Sequence, residues 1–452
     1  MEKSGRLSWL YHYLQDPQLV ARFQKVCGVH GTFSRTGNGG GKDRSHSHNN
    51  GACHHLCTEG HESDNPAMFG AGEGETGARR RTAGLDGETP SPNPSLTQNG
   101  APAGGDTPVP VGSNGMKPLR KNSLTGDVGQ EFLIENRFLY YLFTFGTELG
   151  NELFYITFFP FVIWNVDAFV GRRIIMLWVW VMYLGQCTKD VIGWSRPASP
   201  PVVKVEMFYN SEYSMPSTHA MSGTAIPFSL FYMTYGRWEY PFSMGFSLAL
   251  CWCLLVCVSR IYMGMHSVLD VIAGVLYSVM ILAVFLPALD LIDDFNLTYR
   301  YAPLIIVSLH LGLGLFSFTL DTWSTSRGDT AQILGTGAGV ALASHVNYHL
   351  GLLPDPTLDQ LPLTAPSLSL GLVGMAMLRL VLGVLVLMGT RALMKAVTIP
   401  LVCWVFGVPS DDVRKARQHM EVELPYRYIV YGTVGFNVLF LVPFLFSCVH
   451  LS

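Results

Sequence analysis

Three short polar clusters interrupt otherwise apolar sequence, and their side chains are of the kinds that bind and transfer phosphate. The clusters read KDVIGWSRP from Lys189, PSTH from Pro216 and SRIYMGMHSVLD from Ser259. Two long apolar runs lie between the second and third clusters, so the clusters can meet only if these runs fold back as a hairpin in a membrane. The sequence therefore predicts one site assembled from three separate stretches.

Three cations are the first chemical signal in these clusters. Lys189, Arg196 and Arg260 bring positive charge to the predicted site, and the planar Arg fork and the Lys ammonium both suit phosphate oxygens. Taken singly, each residue could reflect the excess of Lys and Arg in loops on one side of a membrane. Their combination with two histidines favours an anion-binding site.

The two histidines and their neighbours are the second signal. His266 and Asp270 are four residues apart, so on a helix the carboxylate is expected to hold one ring nitrogen while the other faces the substrate. His219 follows Ser217 and Thr218, whose backbone amides at a helix N-terminus are expected to bind an anion. Together with the cations, these residues predict phosphoryl transfer.

The chemistry that this set could perform is hydrolysis of a phosphomonoester in two steps. His266 attacks phosphorus as the nucleophile, Asp270 orients it, and His219 protonates the departing oxygen. Water activated by His219 then hydrolyses the phosphohistidine. No metal or other cofactor is expected, because side chains supply the positive charge.

The composition places this site in a membrane. Of the 452 residues, 49% are apolar and only 14% are charged, mean hydropathy is positive, and many apolar residues lie in runs near the length of a membrane span. The lipid bilayer is therefore an expected partner. The net charge of −3 and the scattered Lys and Arg give no support to nucleic-acid binding.

The predicted fold is an all-α bundle of about eight to ten spans with an N-terminal tail. Residues 1–30 permit amphipathic helices, lying either at the lipid interface or against the membrane domain. Residues 31–135 read as a disordered linker, in which the His and Cys residues between 46 and 61 lack zinc-site spacing. The membrane domain is 136–452, with a catalytic core at about 174–290, and its apolar runs lie near residues 138–164, 174–186, 219–235, 241–258, 268–289, 302–320, 331–352, 368–389 and 428–450, with a short piece at 397–408.

Two features of the spans bear on the site. In an antiparallel bundle, the ends of the spans that carry the three clusters all lie at one membrane face. Glu148, Asn151 and Glu152 interrupt the first apolar run, so they either face the bundle interior or mark a break in the helix.

The clusters resemble the K-x6-R-P, P-S-G-H and S-R-x5-H-x3-D signature of the type 2 phosphatidic acid phosphatase (PAP2) superfamily. Thr218 stands where that signature usually has Gly. The stretch YNSEYSMPSTHAMSG at 209–223 resembles the sphingosine-1-phosphate phosphatases, which also have Thr at this position. The segments FGTELGNELF at 145–154, LDTWSTSRGD at 320–329 and RKARQHMEVELPY at 414–426 are similar to the same family.

This resemblance implies a helical core of the PAP2/haloperoxidase type in the endoplasmic reticulum membrane, with its site facing the lumen. It implies hydrolysis of sphingosine 1-phosphate and dihydrosphingosine 1-phosphate to the sphingoid base, in sphingolipid salvage and signal termination. A lumenal site predicts that the sequon at Asn296 stays unmodified, since it lies toward the opposite face. The implied residues are His266 as nucleophile, His219 as acid and base, Asp270 as the group that orients His266, and, for phosphate binding, Lys189, Arg196, Ser217, Thr218 and Arg260.

Three other functions share parts of this pattern. A broader lipid phosphatase acting on phosphatidate or lysophosphatidate would need the same headgroup chemistry. A transporter or scaffold without catalytic activity could have the same fold, although every expected site position is filled apart from the change to Thr218. A haloperoxidase would share the site, but the membrane spans argue against it.

Overall fold

The computed structural model describes residues 2–32, 131–206, 212–320, 326–353, 355–356, 358–367, 369–409 and 412–451. Most of the predicted linker, with its His and Cys residues, lies outside these described residues. Over them the chain is mostly helical, and its helices are α1 (Glu2–Gln15), α2 (Pro17–Val26), α3 (Arg137–Glu148), α4 (Glu152–Asn165), α5 (Ala168–Ile192), α6 (Thr218–Thr234), α7 (Phe242–Tyr262), α8 (Val268–Thr298), α9 (Ala302–Leu320), α10 (Arg327–His349), α11 (Leu370–Phe406), α12 (Val413–Ala416), α13 (Met420–Leu439) and α14 (Leu441–Cys448).

The predicted all-α, multi-pass membrane fold is confirmed. Six segments of the described chain are long and apolar enough to cross a membrane: Ala168–Ile192, Phe242–Tyr262, Val268–Thr298, Ala302–Leu320, Leu370–Phe406 and Met420–Cys448. The sequence predicted about eight to ten spans, and the remaining predicted apolar runs form shorter or more polar helices. The first apolar run is divided between α3 and α4, α6 has 17 residues, and α10 carries polar side chains that it buries against other helices.

Helix α5 runs through the core and delivers the first polar cluster to one end of the bundle. It begins where the Asp167 side chain accepts hydrogen bonds from two backbone amides, and it ends at Gly193. The φ of Gly193 is 65°, in the left-handed region that glycine adopts without steric cost. The chain therefore turns sharply one residue after α5. This turn places Arg196 near Lys189, which lies in the last turn of α5.

Helices α10 and α13 approach each other closely through small residues. A Cβ added at Gly335 or Gly339 of α10 would overlap backbone atoms of Tyr428 or Gly432 of α13. The two glycines are four residues apart and so lie on one helix face, an arrangement that lets helices pack in lipid by close backbone contact. Helix α10 also contacts α5, and α5 contacts α6, so this packing supports the core that carries the site.

A buried ion network fixes the end of α5 that lies away from Lys189. Arg172 is 3% exposed, and its guanidinium donates to Asp293 at 2.9 Å and to Asp355 at 2.7 Å. A buried guanidinium is stable only when its charge is paired in this way. Asn296 is near Asp293 at the C-terminal end of α8 and is 7% exposed. This burial gives a steric reason to expect the sequon at Asn296 to stay unmodified.

The N-terminal residues pack against the membrane domain. Strands β1 (Val29–Thr32) and β2 (Glu131–Ile134) pair antiparallel and take residues from both ends of the predicted linker. On α2, Gln24 is 1% exposed, and its side-chain amide exchanges two hydrogen bonds with the backbone of Val203 and donates a third to the carbonyl of Tyr262. Helix α2 is thereby joined to the third polar cluster, which contains Tyr262, and to the segment between the first and second clusters, which contains Val203.

Candidate active site

The structure brings the three polar clusters together at one end of the bundle. Lys189 Nζ donates to the hydroxyl of Thr218 at 3.2 Å, and Arg196 Nη1 donates to the carbonyl of Met265 at 3.2 Å. The backbone amide of Ser217 donates to the carbonyl of Asp270 at 3.1 Å. The site is therefore formed by the end of α5, the start of α6, the end of α7 and the start of α8, with all eight predicted residues in it.

Thr218 and Ser217 differ in detail from the expected anion site. The hydroxyl of Thr218 holds the Lys189 ammonium, a contact that the Gly usual at this position could not make. The amide of Ser217, expected to bind an anion, is instead used to tie α6 to α8. The hydroxyl of Ser217 caps α6 by accepting from the amide of Ala220.

His266 is buried, and a serine stands between it and the carboxylate expected to hold it. Nδ1 of His266 is 3.9 Å from Asp270 Oδ2, too long for a hydrogen bond, but 3.3 Å from Ser214 Oγ. The Ser214 hydroxyl donates to Asp270 Oδ2 at 2.6 Å. Since the hydroxyl hydrogen is directed at the carboxylate, the hydroxyl oxygen can accept a hydrogen bond from Nδ1–H, which leaves Nε2 with a free lone pair.

Asp270 is fixed by the start of its own helix. Its Oδ2 accepts from the amide of Ser267 at 2.7 Å, and its own amide donates to the Ser267 hydroxyl at 3.2 Å, which is a capping box. A carboxylate in the first turn of a helix is also favoured by the helix dipole. The Asp270 carboxylate, which accepts from Ser214 and thereby sets the tautomer of His266, is therefore held in place by the start of α8.

His219 lies against the break between α3 and α4. Its Nε2 is 3.1 Å from Oδ1 of Asn151, and a Cβ added at Gly150 would overlap its Cδ2 atom. The interruption at residues 148–152 is thus a helix break, one of the two predicted alternatives, and it provides the space for the imidazole. Glu152 has a separate role, because its carboxylate accepts from the hydroxyl of Tyr431 at 2.7 Å.

Two carboxylates contact the predicted phosphate-binding cations, and the sequence analysis did not identify either. Glu206 accepts from Arg260 Nη1 at 2.8 Å. Glu212 accepts from Arg196 Nη2 at 3.0 Å, and the same oxygen is 3.9 Å from Lys189 Nζ. Both glutamates are in the segment between α5 and α6, and only Glu212 belongs to the 209–223 stretch that carries the family resemblance.

Burial and positive charge keep both site histidines neutral. Burial lowers the pKa of His266 well below its usual value, and the nearby guanidinium and ammonium groups lower it further. The pKa of His219 is lowered well below its usual value by the same two causes. A neutral imidazole is the form that can act as a nucleophile or base.

A cavity of about 430 Å³ lies beside the site. Its walls include Arg196 and Asp270 on one side and, on the other, residues from the end of α1 and the start of α2, among them His12 and Asp16. The N-terminal helices therefore form part of the surroundings of the catalytic residues. Among the residues that the structure describes, no group of three or more His, Cys, Asp or Glu side chains is placed to hold a metal ion.

Comparisons with known proteins identify the family of the chain. A family model described as the PAP2 superfamily matches residues 173–291, an interval that contains all eight predicted site residues. The chain is 56% identical to sphingosine-1-phosphate phosphatase 1 of Rattus norvegicus and 54% identical to that of Mus musculus, each over 100% of both chains. It is 35% identical to sphingosine-1-phosphate phosphatase 2 of Homo sapiens, over 96% of this chain and 98% of that one. No solved structure matches the chain.

Proposed function

The chain belongs to the sphingosine-1-phosphate phosphatase family of the PAP2 superfamily, and on this premise we propose that it hydrolyses sphingosine 1-phosphate and dihydrosphingosine 1-phosphate to the free sphingoid base. The observation that carries the proposal is the convergence of Lys189, Arg196 and Arg260 with two neutral histidines, the buried His266 and the half-buried His219, at one end of a membrane bundle. A phosphate ester at the end of a lipid chain would reach such a site while its tail stays in the bilayer.

Phosphate binding is assigned to the three cations and the start of α6. Lys189, Arg196 and Arg260 would hold the nonbridging oxygens, with Ser217 and Thr218 forming the adjacent wall. Each charged hydrogen bond of this kind contributes about 1.5 to 3 kcal/mol. Because the donors are fixed by neighbouring helices, they can stabilise the charge that develops on the oxygens as phosphorus is attacked.

In the first step, His266 Nε2 forms a bond to phosphorus as the bond to the lipid oxygen breaks. The departing alkoxide receives a proton from His219, so the sphingoid base leaves as an alcohol. The site cations lower the pKa of His219 before substrate binds, and the negative charge of the phosphate offsets their effect. Substrate binding thus favours the protonated form of His219 that the step requires.

In the second step, water replaces the imidazole on phosphorus. His219, now neutral, takes a proton from the water as its oxygen forms a bond to phosphorus. The bond between phosphorus and Nε2 breaks, inorganic phosphate is formed, and His266 recovers its lone pair. Ser214 and Asp270 would hold the ring and stabilise the positive charge on it while the phosphohistidine exists.

Membership of the family supports a proposal for the cellular setting. The chain is a multi-pass membrane protein. We assign it to the endoplasmic reticulum membrane with the site facing the lumen, where it would serve sphingoid-base salvage and end signalling by the phosphorylated lipid. Because Asn296 is buried, the absence of a glycan there would not report which side of the membrane it faces. Labelling of a cysteine introduced beside the site, by a reagent that cannot cross the membrane, would measure the orientation better.

The test is phosphate release by purified protein in detergent with excess EDTA, using sphingosine 1-phosphate and lysophosphatidate. We expect release from the sphingoid lipid to persist with chelator and to be lost in His266→Ala. Equal use of both lipids would support the broad lipid phosphatase instead. No release from either lipid by folded protein would favour a transporter or scaffold without catalytic activity.

A further inference from the structure

We propose that Glu212 binds the ammonium group of the substrate and so selects phosphorylated amino alcohols over other lipid phosphates. The inference rests on the proposed function, because it concerns how the same site recognises a sphingoid-base phosphate. It assigns a specificity role to a residue outside the superfamily signature.

The first observation is the position of the Glu212 carboxylate. One of its oxygens is 3.0 Å from Arg196 Nη2 and 3.9 Å from Lys189 Nζ. These are two of the three cations to which phosphate binding is assigned. The carboxylate therefore contacts the groups that a phosphate would contact, and it lies directly beside the place that the phosphate would occupy.

The charges of the site are balanced by ion pairs between its arginines and two glutamates. Before substrate binds, Arg196 is paired with Glu212 and Arg260 is paired with Glu206. A phosphate dianion that takes these donors leaves the carboxylates without their partners, which is costly in a partly buried site. A substrate that carries its own cation next to the phosphate can restore one of these pairs.

The sphingoid bases have such a cation. Their ammonium group is on the second carbon, three bonds from the ester oxygen, so it must lie close to the bound phosphate. In phosphatidate the corresponding atom is a neutral ester oxygen, and in an N-acylated sphingoid phosphate it is a neutral amide nitrogen. Only the free amine offers a charge-assisted hydrogen bond to a carboxylate at this position.

The main chain holds Glu212 at the site even if its side chain turns. Its backbone carbonyl accepts from Arg196 Nε at 3.2 Å, and the amide of Ser214 donates to the carbonyl of Trp194 at 2.7 Å. The Glu212 side chain is 23% exposed, compared with 7% for Arg196 and 3% for Lys189. The carboxylate can thus leave the cations for an ammonium group without any movement of the backbone.

Glu206 is the natural comparison, because it also pairs with a site cation. Among the cations in the described part of the chain, it forms an ion pair with Arg260, whereas Glu212 is close to two of the site cations and is two residues from Ser214, which touches His266. We therefore assign the ammonium to Glu212 and expect Glu206 to affect all phosphate substrates alike.

The experiment compares sphingosine 1-phosphate with N-acetylsphingosine 1-phosphate, which has the same skeleton and phosphate but no ammonium group. For the unmodified protein, we expect kcat/KM to favour the free amine by about tenfold or more. Glu212→Gln should lower kcat/KM for sphingosine 1-phosphate by about tenfold while leaving the N-acetyl substrate within about twofold. Glu212→Asp, which retains the charge, should keep the preference, and Glu206→Gln should change both substrates by the same factor.

Several outcomes would overturn the inference. A ratio near one in the unmodified protein would do so without any variant. An unchanged ratio in Glu212→Gln, or an equal loss on both substrates, would show that Glu212 has no role in recognising the ammonium, while hydrolysis of sphingosine 1-phosphate by the unmodified protein would still support the proposed function. Failure of the unmodified protein to hydrolyse sphingosine 1-phosphate would overturn the proposed function and, with it, the inference.

Discussion

Ser214 Oγ donates a hydrogen bond of 2.6 Å to Asp270 Oδ2, and this places the serine hydroxyl between the carboxylate and Nδ1 of His266. The signature shared with the superfamily contains the histidine and the aspartate but not this serine. In the structure the aspartate acts on the histidine through Ser214. The serine is therefore a positioning residue for the predicted nucleophile.

Ser214→Ala should lower kcat by about tenfold, the effect of losing one hydrogen bond to the reacting ring. The matched control is Ser229→Ala, which removes a buried serine hydroxyl of α6 that bonds only to its own helix. The measurement is kcat in detergent, with thermal unfolding to confirm that both variants are folded. Equal kcat in the two variants would mean that the serine does not position His266.

Gly150→Ala should displace the ring of His219, because the added methyl would overlap its Cδ2 atom. We expect kcat to fall by about a hundredfold, the lower end of the contribution of a general acid and base. Gly312→Ala on α9 is the control, since a Cβ there meets no atom within 4 Å. Normal turnover by Gly150→Ala would show that the helix break does not seat the catalytic ring.

Gln24→Ala should destabilise the fold, because it leaves buried backbone groups of Val203 and Tyr262 without their hydrogen-bond partner. The expected loss is about 3 kcal/mol in the free energy of unfolding. Gln18→Ala, an exposed position on the same helix, is the control. Denaturation in detergent measures both, and equal stability of the two variants would argue against α2 as part of the catalytic domain.

The lowered pKa values of the two site histidines predict how stability depends on pH. Burial and the nearby cations lower the folded pKa of His266 and of His219, whereas in the unfolded chain each pKa is about 6.5. Below that pH the unfolded chain binds more protons than the folded chain. The free energy of unfolding should therefore fall by about 1.4 kcal/mol per pH unit for each histidine.

This dependence can be measured as thermal unfolding between pH 7.5 and 5.5. His266→Gln cannot take up the proton. Below pH 6.5 its free energy of unfolding should therefore fall less steeply than that of the unmodified protein, by about 1.4 kcal/mol per pH unit. Above about pH 6.5 the two proteins should show parallel curves. Identical slopes below that pH would mean that His266 is already protonated in the folded protein.

The sequence predicted that the three polar clusters converge, because the spacing of the clusters and of the apolar runs between them indicates which helix ends meet. The four-residue spacing predicted His266 and Asp270 on one helix face, whereas in the structure His266 lies in the turn before α8, which begins at Val268, and its Nδ1 is 3.9 Å from Asp270 Oδ2. The order of the apolar runs predicted Lys189 and His219 at the same end of the bundle. Asn151 and the break beside it appeared only as polar residues that did not suit a span. In the structure Asn151 contacts the imidazole of His219, so the break has a role in placing that ring.

What the sequence could not predict are contacts made by segments without periodicity. Ser214, Glu206 and Glu212 lie in the connection between α5 and α6, where no repeating pattern fixes the direction of a side chain. The use of the Ser217 amide by the Asp270 carbonyl likewise depends on how α6 and α8 pack. The sequence also did not show that α10, one of its apolar runs, buries polar residues such as Thr330, Ser344 and Asn347 inside the bundle.

Rapid quenching with sphingosine 1-phosphate labelled in its phosphate would show whether His266 carries the phosphate during turnover. We predict label on the protein that is lost in acid, survives alkali and maps to the peptide containing His266, and we predict none in His266→Ala. Release of phosphate within one turnover without labelled protein, or label at another residue, would contradict the mechanism.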